Sequence, residues 1–293
     1  MKSAELIAGY LAPMKPQPTS MTPGGRPKKR IRCVLFDIYG TLFISGSGDI
    51  GVSKKASFEV QQIERLLQQF NIRKKPGDLI QELFQAIEDE HRRLRDTGID
   101  YPEIEIDRIW EKILKIKDSD EVRRFAIQYE LIVNPVYPMP NLENTLAACR
   151  QKNVPMGIIS NAQFFTPLLF EWFLDAGLES LGFHSDLVFL SYQIRHAKPS
   201  TKPFEQAAAA IRARGLETAS ALYVGNDMLN DIYPANQLGF QTALFAGDAR
   251  SLRLRTDDSR CRNLSADLIL TDLEQLIGHI TTEPESAPFS GRD

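Results

Sequence analysis

Six short apolar runs punctuate this chain, at about 31–37, 154–159, 186–190, 221–224, 242–245 and 268–270, with stretches of helical spacing between them. No other feature restricts the fold as much. Runs this short predict strands, and strands alternating with helices predict a parallel sheet covered by helices on both faces. The expected helices lie at about 142–152, 166–176, 202–214 and 230–238. The expected class is α/β, a doubly wound parallel sheet.

The alternation is interrupted once. From 54 to about 133 the apolar residues recur at helical spacing: Phe58, Ile63, Leu66, Leu67 and Phe70, then Leu79, Ile80, Leu83, Phe84 and Ile87, then Ile109, Ile113, Leu114 and Ile116. A last helix is expected at about 121–133, and residues 88–93 read as its neighbour's solvated face. The domain plan is a flexible N-terminal extension (1–30), a core made of 31–44 and 136–280, a helical insertion (45–135) and a flexible tail (281–293). Pro13, Pro16, Pro18, Pro23 and Pro27 with Gly24 and Gly25 break any regular structure before 31, apart from a short helix at about 4–11. The Gly- and Ser-rich residues 42–53 read as a mobile loop.

Composition narrows the function classes. A net charge of −3 carries no electrostatic footprint for nucleic acid, and the cluster Lys28-Lys29-Arg30 reads as a solvated linker. Cys33, Cys149 and Cys261 are too far apart for a CxxC zinc or disulfide framework. No apolar run reaches membrane-spanning length, and the first ten residues lack signal-peptide character. The expectation is a cytoplasmic protein that acts on a small molecule, with no nucleic-acid or membrane partner; oligomeric state is not legible.

Polar residues cluster at the strand ends. Asp37 ends the first run and is followed by Ile38-Tyr39-Gly40-Thr41; Ser160-Asn161 ends the second; Lys198 precedes a helix; Asn226, Asp227 and Asp231 follow the run at 221–224. Ligands of open parallel sheets gather at that edge. A carboxylate there is a candidate nucleophile, and Lys198 can hold it ionised. Thr41, Ser160 and Asn161 offer donors for substrate oxygens. Asp227 and Asp231, four apart, suit a hard cation, although Asp231 can equally cap the helix or hold Lys198. His91, His184, His196 and His279 share no ligand spacing. Trp110 and Trp172 read as packing residues, and Phe164-Phe165 as core or pocket mouth.

The ordered set Asp37, Ser160, Lys198, Asp227 and Asp231 resembles the motifs of the haloacid dehalogenase (HAD) superfamily, over roughly 31–275, with the insertion matching that family's helical cap. The resemblance implies a hydrolase with Asp37 as nucleophile. In its phosphatases Mg²⁺ would bind Asp37, the Tyr39 backbone carbonyl and Asp227, with Asn226 and Asp231 in support. One position departs: Tyr39 stands where those phosphatases carry a second Asp, the proton donor to the leaving group. A phenol titrating near pH 10 is a poor substitute. Asp-x-Tyr-Gly-Thr resembles instead the metal-independent 2-haloacid dehalogenases, whose halide-cradling arginine would correspond to Arg65 or Arg73. Phe204 and the acidic pair Asp227 and Asp231 resemble the phosphatases. The leading expectation is Mg-dependent phosphomonoester hydrolysis; a dehalogenase and a binding or regulatory protein without turnover are the alternatives.

Overall fold

The structure, a computed structural model, describes residues 9–10, 12–46 and 57–280. Most of the expected helix at 4–11, the tail at 281–293 and most of the loop at 42–53 lie outside the described residues. In chain order the core strands are β1 (Gly24–Gly25), β2 (Cys33–Phe36), β5 (Met156–Ser160), β6 (Phe183–Leu190), β7 (Ala221–Gly225), β8 (Gln241–Phe245) and β9 (Leu268–Leu270). Two further strands, β3 (Phe43–Ser45) and β4 (Val136–Pro138), form a separate antiparallel pair. The sheet order is β1-β9-β8-β7-β2-β5-β6, parallel apart from β1, which runs antiparallel to β9.

Strand β2 shows why a short apolar run becomes a central strand. Successive side chains point to opposite faces. Cys33 and Leu35 pack with Phe204, Ala207 and Ile211 of the helix Lys202–Ala213. Val34 and Phe36 pack with Leu146 and Cys149 of the helix Leu142–Gln151 and with Phe170 of Leu168–Leu174. All four strand residues are fully buried, so neither face tolerates a polar side chain. The three cysteines are free and buried, which fits packing roles.

The inserted helices are α1 (Ser57–Gln69), α2 (Pro76–Asp96), α3 (Ile106–Leu114) and α4 (Ser119–Val133). Their apolar stripes meet in a core of their own, centred on Trp110, Phe125 and Tyr129, whose rings make edge contacts at 4.8–4.9 Å. Asp118 caps α4 by accepting from the N–H groups of Asp120 (2.9 Å) and Glu121 (3.4 Å). The insertion joins the core through the β3–β4 ribbon, where Ser45 Oγ donates to Asn134 Oδ1 (2.8 Å). That ribbon replaces the beginning of the expected mobile loop: Phe43 is buried against Phe170 at 5.1 Å.

Residues 12–30 also depart from the flexible extension expected of them. Gly24 and Gly25 add a strand to β9, Thr19 Oγ1 donates to Ala246 O (2.8 Å), and Gln17 N–H donates to Asp248 (3.0 Å). Prolines prevent helix formation here but do not prevent an extended strap from bonding to a sheet edge. Among the described residues no helix is long and apolar enough to cross a membrane.

Candidate active site

Strand β2 lies between β7 and β5, and the chain winds outward from this centre in both directions. The crevice at such a switch point, outside the carboxyl ends of the strands, is where ligands bind in open α/β sheets. Asp37, Ser160 and Asp227 all stand at that edge because each follows or ends one of the three central strands.

Asp37 directly follows β2 and is still tied to the ladder, its N–H donating to Val224 O (2.9 Å). The chain then folds back sharply, with the Leu42 and Phe43 N–H groups both donating to Ile38 O at 2.9 Å. Gly40 makes this turn possible. Its φ is +81°, and a Cβ there would stand 2.5 Å from Ser251 Cβ.

One carboxylate oxygen of Asp37, Oδ1, accepts from Ser160 Oγ (2.8 Å) and from Lys198 Nζ (2.8 Å). No hydrogen bond engages Oδ2 among the described residues, and Asp37 lines the cavity. Lys198 also donates to Asp231 Oδ1 (2.5 Å) and lies 3.0 Å from the Tyr223 hydroxyl, itself 2.8 Å from Ile159 O. Asp231 reaches this position because residue 225 is glycine: a Cβ there would stand 2.4 Å from Asp231 Cγ. Lys198 is thus a buried ammonium between two buried carboxylates. Burial alone would push its amine down, but the charges of Asp231 and Asp37 outweigh it and hold the amine above its usual range. Burial pushes Asp231 up despite Lys198, with the like charges of Asp37 and Asp227 adding to it.

Asn161 was expected at the substrate. It lines the cavity, and its amide clamps the lysine backbone, accepting from Lys198 N–H (2.7 Å) and donating to Lys198 O (3.2 Å). Thr41 is a clearer correction: it is fully buried and donates to Asn226 Oδ1 (3.2 Å) rather than facing the cavity. Asn226 completes that link by donating to Ser251 O (2.6 Å). Phe204 packs edge-on to Tyr223 at 4.9 Å, so it supports the lysine from behind.

The expected magnesium ligands Asp37, Tyr39 and Asp227 line one cavity, but Asp227 is engaged elsewhere. Asp227 caps the π-turn Met228–Ile232, accepting from the N–H groups of Leu229 (2.8 Å) and Asn230 (3.2 Å), while Asn230 Nδ2 donates to its other oxygen (3.1 Å). The Arg255 guanidinium spans both oxygens, the shortest contact being 2.6 Å. A carboxylate offers about four acceptor sites, and those of Asp227 are filled. A cation at this carboxylate would also have to share it with a guanidinium. Among the described residues no group of three or more His, Cys, Asp or Glu converges as a metal set. The donor set as arranged does not fit Mg²⁺. Tyr39 gives no proton relay either. Its hydroxyl lies 3.1 Å from Thr166 Oγ1, and burial, followed by the charge of Glu130, raises its phenol above the usual range.

Above Asp37, between the sheet edge and the insertion, lies a cavity of about 320 Å³. Asp37, Lys198, Asn161, Asn226, Asp227 and Asn230 contribute its polar floor. Two carboxyl groups in its wall are unforeseen by the sequence reading. Burial pushes Glu130, on α4, up to about 7, against a single bond from Asn134 Nδ2 (3.1 Å). Burial also pushes Glu103 up to about 7, although Ser191 Oγ (2.7 Å) and Gln163 Nε2 (3.2 Å) donate to it. Gln163 further bonds to Ile104 O and Ile106 N, tying the core to the insertion. The only sequence signal for Glu130 is a lone acid in the otherwise apolar stretch Leu131-Ile132-Val133 and its preceding turn. His91 and Phe165 line the same cavity, whereas Arg65 and Arg73 are solvent-exposed and absent from its lining.

Comparison with known proteins agrees with this architecture. No curated protein matches the sequence. Among solved structures, a 2-haloacid dehalogenase from Pseudomonas syringae pv. Tomato DC3000 is 19% identical, covering 85% of this chain and 97% of that one, with a TM-score of 0.50. A defluorinating L-2-haloacid dehalogenase is 17% identical, with 88% and 99% covered and a TM-score of 0.51. An HAD phosphatase from Thermococcus onnurineus is 19% identical, with 84% and 96% covered and a TM-score of 0.49. At these identities the likeness to the two dehalogenases speaks to the fold alone. The sequence itself matches the family model of haloacid dehalogenase-like hydrolases over residues 31–239, which contain the strand-end constellation and the whole insertion, and the chain belongs to that family.

Proposed function

We propose that the protein is a phosphomonoester hydrolase in which Asp37 is the nucleophile and Glu130 the proton donor, with the insertion serving as a cap over the site. The observation that carries this reading is that Asp37, with its Oδ2 free of hydrogen bonds among the described residues, shares a cavity with Glu130, a buried carboxyl that burial raises to about 7. Asp37 Oδ2 attacks phosphorus, the P–O bond to the alcohol breaks, and the departing oxygen takes the proton of Glu130. The Glu130 carboxylate then takes a proton from water as its oxygen attacks the aspartyl phosphate, restoring both residues. Lys198 holds Asp37 in place by Oδ1, leaving Oδ2 to attack. Ser160 orients the same oxygen. Positioned acid–base assistance of this kind contributes about 10²–10⁴ in rate.

Two features favour phosphoester over C–halogen cleavage. An alkoxide leaving group needs the proton that Glu130 can hold, whereas halide does not. The early-insertion arginines expected to cradle halide, Arg65 and Arg73, face solvent, and the arginine that does line the cavity, Arg253, comes from the core and donates to the carbonyls of Arg250 and Leu252. No step is routed through Mg²⁺, because Arg255 occupies Asp227.

The test is phosphate release from p-nitrophenyl phosphate and from an alkyl phosphate, with Mg²⁺ and with EDTA. Asp37→Asn is expected to abolish both. Glu130→Gln is expected to slow the alkyl ester at least tenfold more than the nitrophenyl ester, whose leaving group needs no proton. Equal slowing would remove Glu130 from the chemistry. Halide release from 2-chloropropionate without any phosphate release would replace the proposal by the dehalogenase.

A further inference from the structure

The cavity extends well beyond what a phosphate needs. From Asp37 it runs between the inserted helices, walled by Ile63, Ile80, Leu83, Ile87, Trp110 and Val133, to Val60 and Phe84. Those last two are large apolar side chains left 44% and 45% exposed on the outer surface of α1 and α2. A surface helix normally turns such residues inward or replaces them. Here they mark where an apolar passage reaches solvent. Among the described residues, the polar groups in the upper walls are His91, Glu103, Tyr129, Glu130 and Gln163, and Gln163 is committed to Glu103, Ile104 O and Ile106 N–H. Glu103 has its acceptors occupied by Ser191, Gln163 and Ile104 N–H. A sugar or amino-acid phosphate placed here would meet mostly apolar walls and few uncommitted partners for its hydroxyl or amino groups, which is costly for buried polar groups. An alkyl or aryl-alkyl chain needs no such partners. A volume of about 320 Å³ falls at the lower end of the range for small-molecule sites.

We propose that the substrates are amphiphiles: monoesters whose anionic group meets Asp37 and whose alkyl or aryl-alkyl body fills the passage between α1 and α4. This assignment rests on Asp37 being the reacting end of the cavity. The body supplies binding, and its length sets specificity. Each methylene buried in such a wall is worth about a fourfold gain.

The experiment measures kcat/KM for ethyl, butyl, hexyl and octyl phosphate, and in parallel the calorimetric affinity of the matching alkyl phosphonates, which cannot be hydrolysed. The expected result is a rise of about fourfold per methylene in both series until the passage is full. Ile80→Trp, which fills the passage, is expected to flatten that rise; a circular dichroism melt verifies that the variant folds. A flat series in the wild type, with ethyl phosphate turned over as well as octyl phosphate, would overturn the substrate assignment while leaving the phosphatase reading intact. Chain-dependent phosphonate binding with no ester turned over would support the passage and count against the phosphatase. Absence of chain-dependent binding in the wild type would overturn the passage whatever the variant does.

Discussion

Replacing Glu130 by Gln removes one titrating proton from the cavity wall and preserves the shape of the side chain. The amide oxygen of Gln can still accept from Asn134 Nδ2, so the one hydrogen bond survives. In the wild type, burial raises this carboxyl from 4.5 to about 7. Below pH 4.5 the group is protonated whether the chain is folded or unfolded and contributes nothing to the difference. Between 4.5 and about 7 the unfolded chain loses the proton while the folded chain keeps it, so stability falls as pH rises. Above about 7 both forms are ionised and the loss levels off. At about 1.4 kcal/mol per unit the whole interval is worth about 3 kcal/mol, most of which falls between pH 5 and pH 8. Urea unfolding followed by the fluorescence of Trp110 and Trp172 measures this directly. Glu103 titrates in the same range in both proteins, so it cancels when the variant is compared with the wild type. The expected outcome is that Glu130→Gln gains roughly 2–3 kcal/mol relative to wild type on going from pH 5 to pH 8. A stability difference independent of pH would refute the claim that Glu130 is a buried, proton-holding carboxyl, and with it the role given to Glu130 in catalysis.

Three further outcomes follow from the same geometry. Lys198→Met leaves Asp37 and Asp231 facing each other without their shared ammonium, and breaking a buried pair costs about 3–5 kcal/mol; thermal melts as high as wild type would count against the pairing, and adding Asp231→Asn should recover part of the loss. Tyr39→Phe removes only the contact with Thr166, so it should cost about 1 kcal/mol of stability and leave turnover within a few-fold; a hundredfold fall in kcat would return Tyr39 to the chemistry. Arg255→Ala releases two acceptor sites on Asp227, so Mn²⁺ binding followed by electron paramagnetic resonance should tighten; unchanged affinity would mean that Arg255 does not keep a cation from that carboxylate.

The core was legible because its signals are local. Each strand expected from an apolar run exists, and the offsets at the ends are small: Met156–Ser160 for the run at 154–159, and Gln241–Phe245 for that at 242–245. Asp37 was legible for the same reason, since a strand must end somewhere and the first carboxylate after it lands at the sheet edge. The pairing at β1 was not, because two glycines among prolines carry no strand propensity and bond only because the edge of β9 is available to them. Nor were the β3 and β4 segments, three residues each, which are too short to show a period.

At the site the failures are of another kind. Asp227 and Asp231 share a sequence neighbourhood and were weighed together as a cation pair. The π-turn sends Asp231 inward to Lys198 and Asp227 outward to the turn's own N–H groups and to Arg255. Thr41 sits four residues from the nucleophile yet faces Asn226, because the turn at Gly40 rotates it away from the cavity. Glu130 falls in the helix expected at about 121–133, and its role is not singled out by the sequence. Its burial depends on Tyr39 and the β3–β4 ribbon, contributed by distant parts of the chain.

The sequence by itself determined a doubly wound sheet, a helical insertion between its first two core strands, and a carboxylate, a hydroxyl and a lysine at the strand ends. Periodicity and strand termination are properties of neighbouring residues, and a single chain carries them in full. The tertiary structure alone decided which oxygen of Asp37 is held and which is open, which acid pairs with Lys198, what fills the acceptor sites of Asp227, and which carboxyl keeps a proton. Those outcomes depend on burial and on partners remote in sequence. In a buried cluster of charges, an ångström or a bond angle determines whether a carboxylate is free to bind a cation or an anionic substrate.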